Sequence, residues 1–258
     1  MNQTSRQRRR FLQRSLAATG ALLLGGCDYL GSKPWFVNVL GAGETLSRGI
    51  HRSLIPRNAM AQEFTEADLS PHFRSNGTAE PDSESYRMLA RGNFAEWMLK
   101  VDGLVVRPSQ FSLAQLRGLP GRTQITRHDC VEGWSAIGKW TGVPLRTVLD
   151  AVQPNPAAKY VVFHCADPMD SGGRNLYYES IDMDDAYHPQ TILAYGRNNQ
   201  PLPVANGAPL RLRVERQLGY KHAKYLMRIE LAASLAEIHG GRGGYWEDSN
   251  GYQWYAGI

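Results

Sequence analysis

Hydrophobic and polar positions alternate through Thr123-Gln124-Ile125-Thr126, which predicts a short strand. That strand delivers the chain to Arg127-His128-Asp129-Cys130-Val131-Glu132-Gly133-Trp134-Ser135. Leu145, Val148, Leu149 and Val152 then recur at helical spacing and predict a helix, which Pro154 and Pro156 break. Upstream, Trp97–Val101 reads as a strand, Asp102-Gly103 turns the chain into Leu104-Val105-Val106, and Ser112 can cap a short helix that stops near Gly118 and Pro120. Downstream, the apolar run Tyr160–Cys165 reads as a buried strand and Thr191–Tyr195 as another, with a turn at Asn198-Asn199. Leu210, Leu212 and Val214 alternate with Arg211, Arg213 and Glu215, and Met227, Ile229 and Leu231 alternate with Arg228 and Glu230. The stretch 27–63 shows scattered Gly, Ser and Pro with no sustained period, which predicts a tether and a wrap over a domain spanning 64–258. The tail carries Gly240-Gly241-Arg242-Gly243-Gly244-Tyr245-Trp246 and Trp254-Tyr255, and reads as an aromatic loop that covers a site or packs as an apron.

Composition changes this picture in one respect. The 258 residues are 42% hydrophobic and 10% aromatic, enough for a sizeable core, and carry a net charge of +5. Residues 1–26 hold Arg6, Arg8, Arg9, Arg10 and Arg14 and no acid; the remainder holds 24 basic and 24 acidic side chains. The basic pI of 9.1 therefore belongs to the leader and gives no argument for nucleic acid as a partner. Arg8-Arg9-Arg10-Phe11-Leu12 resembles a twin-arginine export signal, and Leu24-Gly25-Gly26-Cys27 resembles a lipoprotein processing box. Together they imply a signal over 1–26 and a mature chain that contacts the membrane through lipid on Cys27. The expected location is the periplasmic side of the inner membrane.

Three cysteines are present: Cys27, Cys130 and Cys165. Arg127 and His128 beside Cys130 would favour its thiolate, the form that binds metals and attacks electrophiles; a half-buried structural cysteine is the alternative. Nothing in the sequence forbids a Cys130–Cys165 disulfide. No CxxC or HExxH pattern supports a zinc site built by the protein. Residues 167–185 carry Asp167, Asp170, Glu179, Asp182, Asp184 and Asp185 against Arg174, which reads as a solvated acidic face, with docking of a basic electron-transfer partner as the alternative. Six basic side chains and one acid lie between Arg211 and Arg228. They fit either a phosphate-bearing ligand or a solvated basic edge.

Cys130-Val131-Glu132-Gly133-Trp134-Ser135 with Trp140-Thr141-Gly142-Val143-Pro144-Leu145 resembles the molybdenum-cysteine segment of the sulfite oxidase superfamily. The resemblance runs from about 69 to 231 and is closest to the branch that holds the bacterial periplasmic methionine sulfoxide reductases. It implies an α+β fold: a single sulfite-oxidase-type molybdopterin-binding domain of mixed sheets with short helices. It implies molybdenum-molybdopterin (Mo-MPT) as cofactor, with Cys130 as the one protein ligand of the metal. Phe73, Arg74 and Asn76 match a pterin-contacting segment in kind, with one residue of spacing difference. Asn206 and Arg211 match another, and His222, Ala223 and Lys224 match the place where backbone and a lysine hold the cofactor phosphate. Cys165 stands where the reductase relatives have a threonine near the cofactor, and a thiol is the poorer donor.

Sulfite-oxidising members place arginines after the metal cysteine, whereas this chain has Glu132 and Trp134. Glu132 would repel sulfite if it faces the pocket, and Trp134 offers apolar surface to substrate at the reacting centre beside Cys130. The implied activity is oxygen-atom transfer on a neutral small molecule, a sulfoxide or N-oxide, with electrons from a haem-containing partner. Sulfite oxidation is the alternative reaction, and a metal-free surface lipoprotein acting as a binding module is the alternative of another class.

Overall fold

The computed structural model describes residues 33–54 and 56–258; the export and lipidation motifs expected at 1–27 lie outside them. Two units separate after residue 54. The described part of the first is helix α1 (Pro34–Leu54), which corrects the reading of 27–63 as an aperiodic tether. Trp35, Val39, Leu46, Ile50 and Leu54 are spaced by fours and a seven, so they share one stripe of this helix, and all five are exposed. Gly41, Gly43 and Gly49 interrupt the pattern and lower its helix propensity, which hid the period. No described helix is long and apolar enough to cross a membrane.

The second unit is built on two five-stranded sheets. One contains β1 (Met98–Gly103), β2 (Ser109–Ser112), β5 (Tyr160–Pro168), β6 (Leu176–Asp182) and β10 (Leu226–Ala232), in the order β2-β1-β10-β5-β6. Only the β1–β10 pair in it is parallel. The other runs β3 (Arg122–Cys130), β4 (Trp134–Pro144), β7 (Ile192–Arg197), β8 (Gln200–Pro201), with β9 (Arg211–Arg213) also paired to β7. Short helices connect the strands: α2 (Glu84–Arg91), α3 (Leu113–Gly118), α4 (Leu145–Val152), α5 (Met183–Ala186) and α6 (Tyr245–Asn250). Ser112 caps α3 as its sequence predicts, its hydroxyl accepting from Gln115 N while Gln115 Oε1 accepts from Ser112 N.

The apolar positions picked out by periodicity meet in one core. Leu145, Val148, Leu149 and Val152 of α4 join Leu99 and Val101 of β1, Val161 and Phe163 of β5, and Ile229 and Leu231 of β10. Leu212 of β9, with Leu210 and Val214 beside it, belongs to the same cluster. Arg211 and Arg213, on the opposite parity, are equally inaccessible, so this short strand is buried on both faces. That excludes a solvated basic edge. The acidic stretch is corrected in the same way: Asp167, Glu179, Asp182 and Asp185 are buried. Leu104–Val106 forms no strand; β1 pairs with β2 on one side and β10 on the other. The tail is more regular than a loop, since α6 forms within it.

One charged pair fixes β9 to β3. Glu215 accepts from Arg213 Nε at 2.9 Å and from Gln124 of β3 at 2.8 Å, with no side-chain exposure on either partner of the ion pair. Removing one member of a buried ion pair strands the other charge and costs about 3–5 kcal/mol, whereas replacing both with apolar residues of similar volume is far less harmful. Glu215→Ala should therefore lower unfolding free energy by about that amount in urea titration, and Arg213→Met with Glu215→Leu should recover most of it. A single-variant loss below about 1 kcal/mol would show the pair to be inert.

Candidate active site

Cys130 ends β3 and pairs with Trp134 across a three-residue hairpin. Gly133 closes the turn, its N–H donating to Cys130 O at 3.0 Å with φ at +85°, a left-handed position that favours glycine. The connection is thus a hairpin into β4, an element that periodicity did not show because glycines at 138 and 142 occupy inward positions. The hairpin places the Cys130 thiol on an open cleft of about 200 Å³. Asn76, His222 and Lys224 line the same cleft, together with Glu132, Asp167, Tyr177, Tyr220, Trp246 and Tyr252.

The thiol is not prepared in the way its sequence neighbours suggest. Burial pushes the Cys130 pKa up; the backbone N–H of Glu132 offsets part of this, the Glu132 carboxylate adds to it, and Arg211 and Arg74 oppose it. Arg127 is on the other face of β3 and pairs with Asp129 at 2.9 Å. His128 shares the face of Cys130, but burial holds its ring neutral, assisted by His222 and Arg213. A metal on Cys130 would supply the ionisation, since a coordinating thiol is deprotonated outright. Cys130 and Cys165 are both free, so the disulfide alternative is not realised.

Arg211 lies directly behind the cleft. Its Nη1 donates to Asn206 O at 3.0 Å and its Nη2 to His222 O at 3.4 Å, which ties together two of the segments expected to meet there. Asn206 ends a 3-10 turn at Gly207, whose φ is +107°. A Cβ on Gly207 would stand 2.9 Å from Lys224 Cβ and 3.1 Å from Arg211 Cβ, so glycine lets these two cationic stems pack against one turn. Burial, with Arg213 beside it, pushes the Arg211 pKa down to about 9, still above neutrality. Among the described residues no carboxylate forms an ion pair with it. Lys224 Nζ donates to Ser75 Oγ and Ala205 O, each at 3.3 Å, and to Thr78 O. Burial and Arg211 lower its pKa to about 7.

Other expected residues lie elsewhere. Phe73, Arg74 and Trp134 form a group beside the cleft: Phe73 packs on Trp134 and Trp140 with centroids 6.2 and 5.2 Å away, and the Arg74 guanidinium lies over Trp134 at 5.9 Å. Trp134 does not line the cleft; its Nε1 donates to Glu132 Oε2 at 2.9 Å and orients that carboxylate. Cys165 and Ala223 are core residues, each 1% exposed. Asp167, two residues beyond Cys165 on β5, reaches the cleft instead. Burial pushes its pKa up to about 6. The parity it shares with the buried Cys165 was the available signal, masked by the acidic composition around it.

Four buried polar atoms on or behind the cleft have no hydrogen-bond partner: Asn76 Oδ1, Asp167 Oδ1, His222 Nδ1 and Arg211 Nε. His222 Nε2 bonds to Gln217 O at 3.0 Å, so it carries the proton and Nδ1 is an acceptor. Three acceptors and one charged donor suit a ligand with several N–H groups and an anionic end. Each group left unsatisfied would cost about 1–3 kcal/mol. Among the described residues no three metal-ligating side chains converge, so a metal on Cys130 would bring its other ligands with it. A soft thiolate suits a metal bound by sulfur. The residues present therefore fit a molybdenum carried on molybdopterin.

A family model described as oxidoreductase molybdopterin binding domain matches residues 88–238. Over 250 residues the chain is 38% identical to a relative in Azospira oryzae provisionally named protein-methionine-sulfoxide reductase subunit YedZ1, covering 97% of this chain and 87% of the relative. It is 36% identical over 244 residues to the protein-methionine-sulfoxide reductase catalytic subunit MsrP of Xanthomonas axonopodis pv. citri, covering 90% and 72%. The sulfane dehydrogenase SoxCD from Paracoccus pantotrophus is a solved structure similar at a TM-score of 0.48 and 20% identity, over 58% of this chain and 45% of that one.

Two arginines of the same basic run should behave differently. A charge-assisted contact contributes roughly 1.5–3 kcal/mol, and 1.4 kcal/mol is tenfold in affinity. Arg211→Ala should lower cofactor retention by about ten- to a hundredfold by pterin assay. Arg228, which pairs with Asp102 at 2.8 Å and Glu230 at 3.0 Å, should tolerate Ala with full cofactor. Equal behaviour of the two variants would remove the assignment.

Lys224 predicts a pH dependence. Its pKa of about 7 is depressed by burial and by Arg211, and an anion beside it raises that value, so binding takes up a proton. Affinity is complete below about pH 7 and falls above it by at most about tenfold per unit, until the bound-state pKa is passed. Cofactor loading measured at pH 6 and 8 should show the fall, and Lys224→Met should abolish it.

Proposed function

The chain belongs to the oxidoreductase molybdopterin-binding domain family, and from that membership we propose that it reduces a sulfoxide of the methionine sulfoxide type. The observation that carries the proposal is Glu132 beside Cys130 on the cleft. A carboxylate there opposes an anion such as sulfite, and the tyrosine and tryptophan side chains around it suit a neutral substrate. The two relatives, both named as methionine sulfoxide reductase subunits, point the same way.

The cofactor, when bound, supplies two-electron oxygen-atom transfer, so that sulfoxide, two electrons and two protons give sulfide and water. The work of the chain is to bind and orient. Cys130 would hold the metal. Arg211 and Lys224 would neutralise the anionic end, and Asn76, Asp167 and His222 would accept from ring N–H groups. Trp134 donates to the Glu132 carboxylate at the edge of the cleft and orients it, so an entering anion meets a like charge there. The electrons would come from a haem-containing partner outside this chain, a reading supported by the open face of the cleft. The motifs at Arg8-Arg9-Arg10 and Cys27 support export and a lipid anchor on the periplasmic side of the inner membrane.

Exported protein should carry about one molybdenum and one pterin per chain and reduce methionine sulfoxide with a reduced viologen as donor. Cys130→Ser should remain folded and lose turnover by about a hundredfold or more, because a hydroxyl is a hard ligand and replaces thiolate poorly. Near-wild-type turnover with molybdenum still bound would sink the assignment of Cys130.

A further inference from the structure

Helix α1 carries an apolar stripe that stays exposed. Trp35, Val39, Leu46, Ile50 and Leu54 fall within about 100° of its circumference at 3.6 residues per turn. Their exposures run from 45% to 76%. Gly43 lies in the same sector, and a Cβ added there would meet nothing within 4 Å. Arg48 and Arg52 fall on the opposite side of the helix. The span 33–54 holds three lysine and arginine residues, Lys33, Arg48 and Arg52, against one acid, Glu44. The first turn of the helix contains no acid and the last contains His51 and Arg52.

The chain around this helix says what covers the stripe. At 21 residues α1 is about 30 Å long, the thickness of a hydrocarbon core, yet it is not apolar enough to cross one. Spanning would place Glu44, Arg48 and Arg52 among acyl chains. Lying flat instead buries the stripe and leaves the arginine side toward water, and the excess of cations is drawn to anionic headgroups. Trp35, at the start of the helix, is the side chain type best suited to the boundary between acyl chains and headgroups. The lipoprotein box ends at Cys27, seven positions before Pro34. At 3.6 Å per residue or less, the chain between them spans at most about 25 Å. Lipid on Cys27 would therefore hold α1 within reach of the same leaflet.

We infer that α1 lies in the membrane interface with its Trp35–Leu54 stripe toward the acyl chains, a second contact with an anionic phospholipid bilayer beside the lipid on Cys27. The inference rests on the reading of Cys27 as a lipid anchor. The test uses exported holoenzyme in vesicles of phosphatidylethanolamine and phosphatidylglycerol, with a nitroxide attached through Leu46→Cys in one preparation and through Arg48→Cys in another. Paramagnetic resonance compares the access of oxygen, which enters the bilayer, with that of a water-soluble nickel chelate. For a stripe buried about 5–10 Å deep, the ratio of oxygen to nickel access should be about tenfold higher at position 46 than at 48. Equal ratios would overturn the inference. So would a label at 46 shielded from both probes, because a protein partner or a second copy would then cover the stripe.

A second variant ties the result to the stripe. Glutamine preserves helix propensity but not apolar surface. With Leu46→Gln and Ile50→Gln in place, a label attached through Val39→Cys should lose about tenfold in the same ratio relative to the unsubstituted stripe. An unchanged ratio overturns the inference. Mass spectrometry of the amino-terminal peptide tests the anchor separately. If it finds no acyl group, the anchor reading falls, and the contrast between positions 46 and 48 with vesicles added to the protein still decides the helix; no contrast there overturns it.

Discussion

Two guanidinium groups share one indole. Arg211 and Arg213 lie 5.0 and 4.5 Å from the Trp140 ring centroid, and none of the three side chains has measurable exposure. Two like charges in so small a dry volume are tolerable only if each is compensated. Arg213 meets its need within the chain through Glu215. Arg211 has backbone carbonyls and a ring face, which disperse its charge without cancelling it. This asymmetry directs one positive charge toward the cleft while the other is spent on holding β9 to β3. The cofactor-facing chemistry and the stability of the sheet thus depend on the same pair of neighbours.

The Cys130 thiol follows a related logic. A buried cysteine whose pKa is raised is a poor nucleophile and a poor target for oxidation in the free domain. With a metal on Cys130, binding and ionisation would be one event, and reactivity would arrive with the cofactor rather than before it. The neutral His128 ring fits this scheme. It fills space against His222, with centroids 5.0 Å apart, and adds no charge to a region that already holds two arginines and a lysine.

Much of the fold was legible because its periods are clean. The α4 stripe, the buried β5 run, the alternating β10 and the Ser112 cap needed no tertiary information. Where small residues stand in for large ones, as at Gly138 and Gly142 of β4, apolar spacing carries no signal although the burial alternates. Helix α1 was hidden by glycines in the same way. Of the site, the residues legible by resemblance divide by what surrounds them. Asn76, Cys130, His222 and Lys224 reach the cleft, and Arg211 backs it. Phe73, Trp134 and Cys165 pack against neighbours that no local motif reveals. Asp167 was concealed by composition: acids that face the interior are written in the same letters as acids that face water. The aromatic wall of the cleft, Tyr220 with Trp246 and Tyr252, was invisible because it joins residues around 220 to a tail whose docking depends on a buried ion pair, Lys221 with Glu247.

That ion pair also ties the rim of the cleft to its floor. Burial and the approach of Glu247 push the Glu179 pKa up while Lys221 opposes both, so the three groups settle only as a set. Glu247 shares α6 with Trp246, and Lys221 stands between Tyr220 and His222 of the cleft. One ammonium group therefore holds two carboxylates and the indole at the rim in a single arrangement, and neutralising it would loosen the wall and the β6 anchor together.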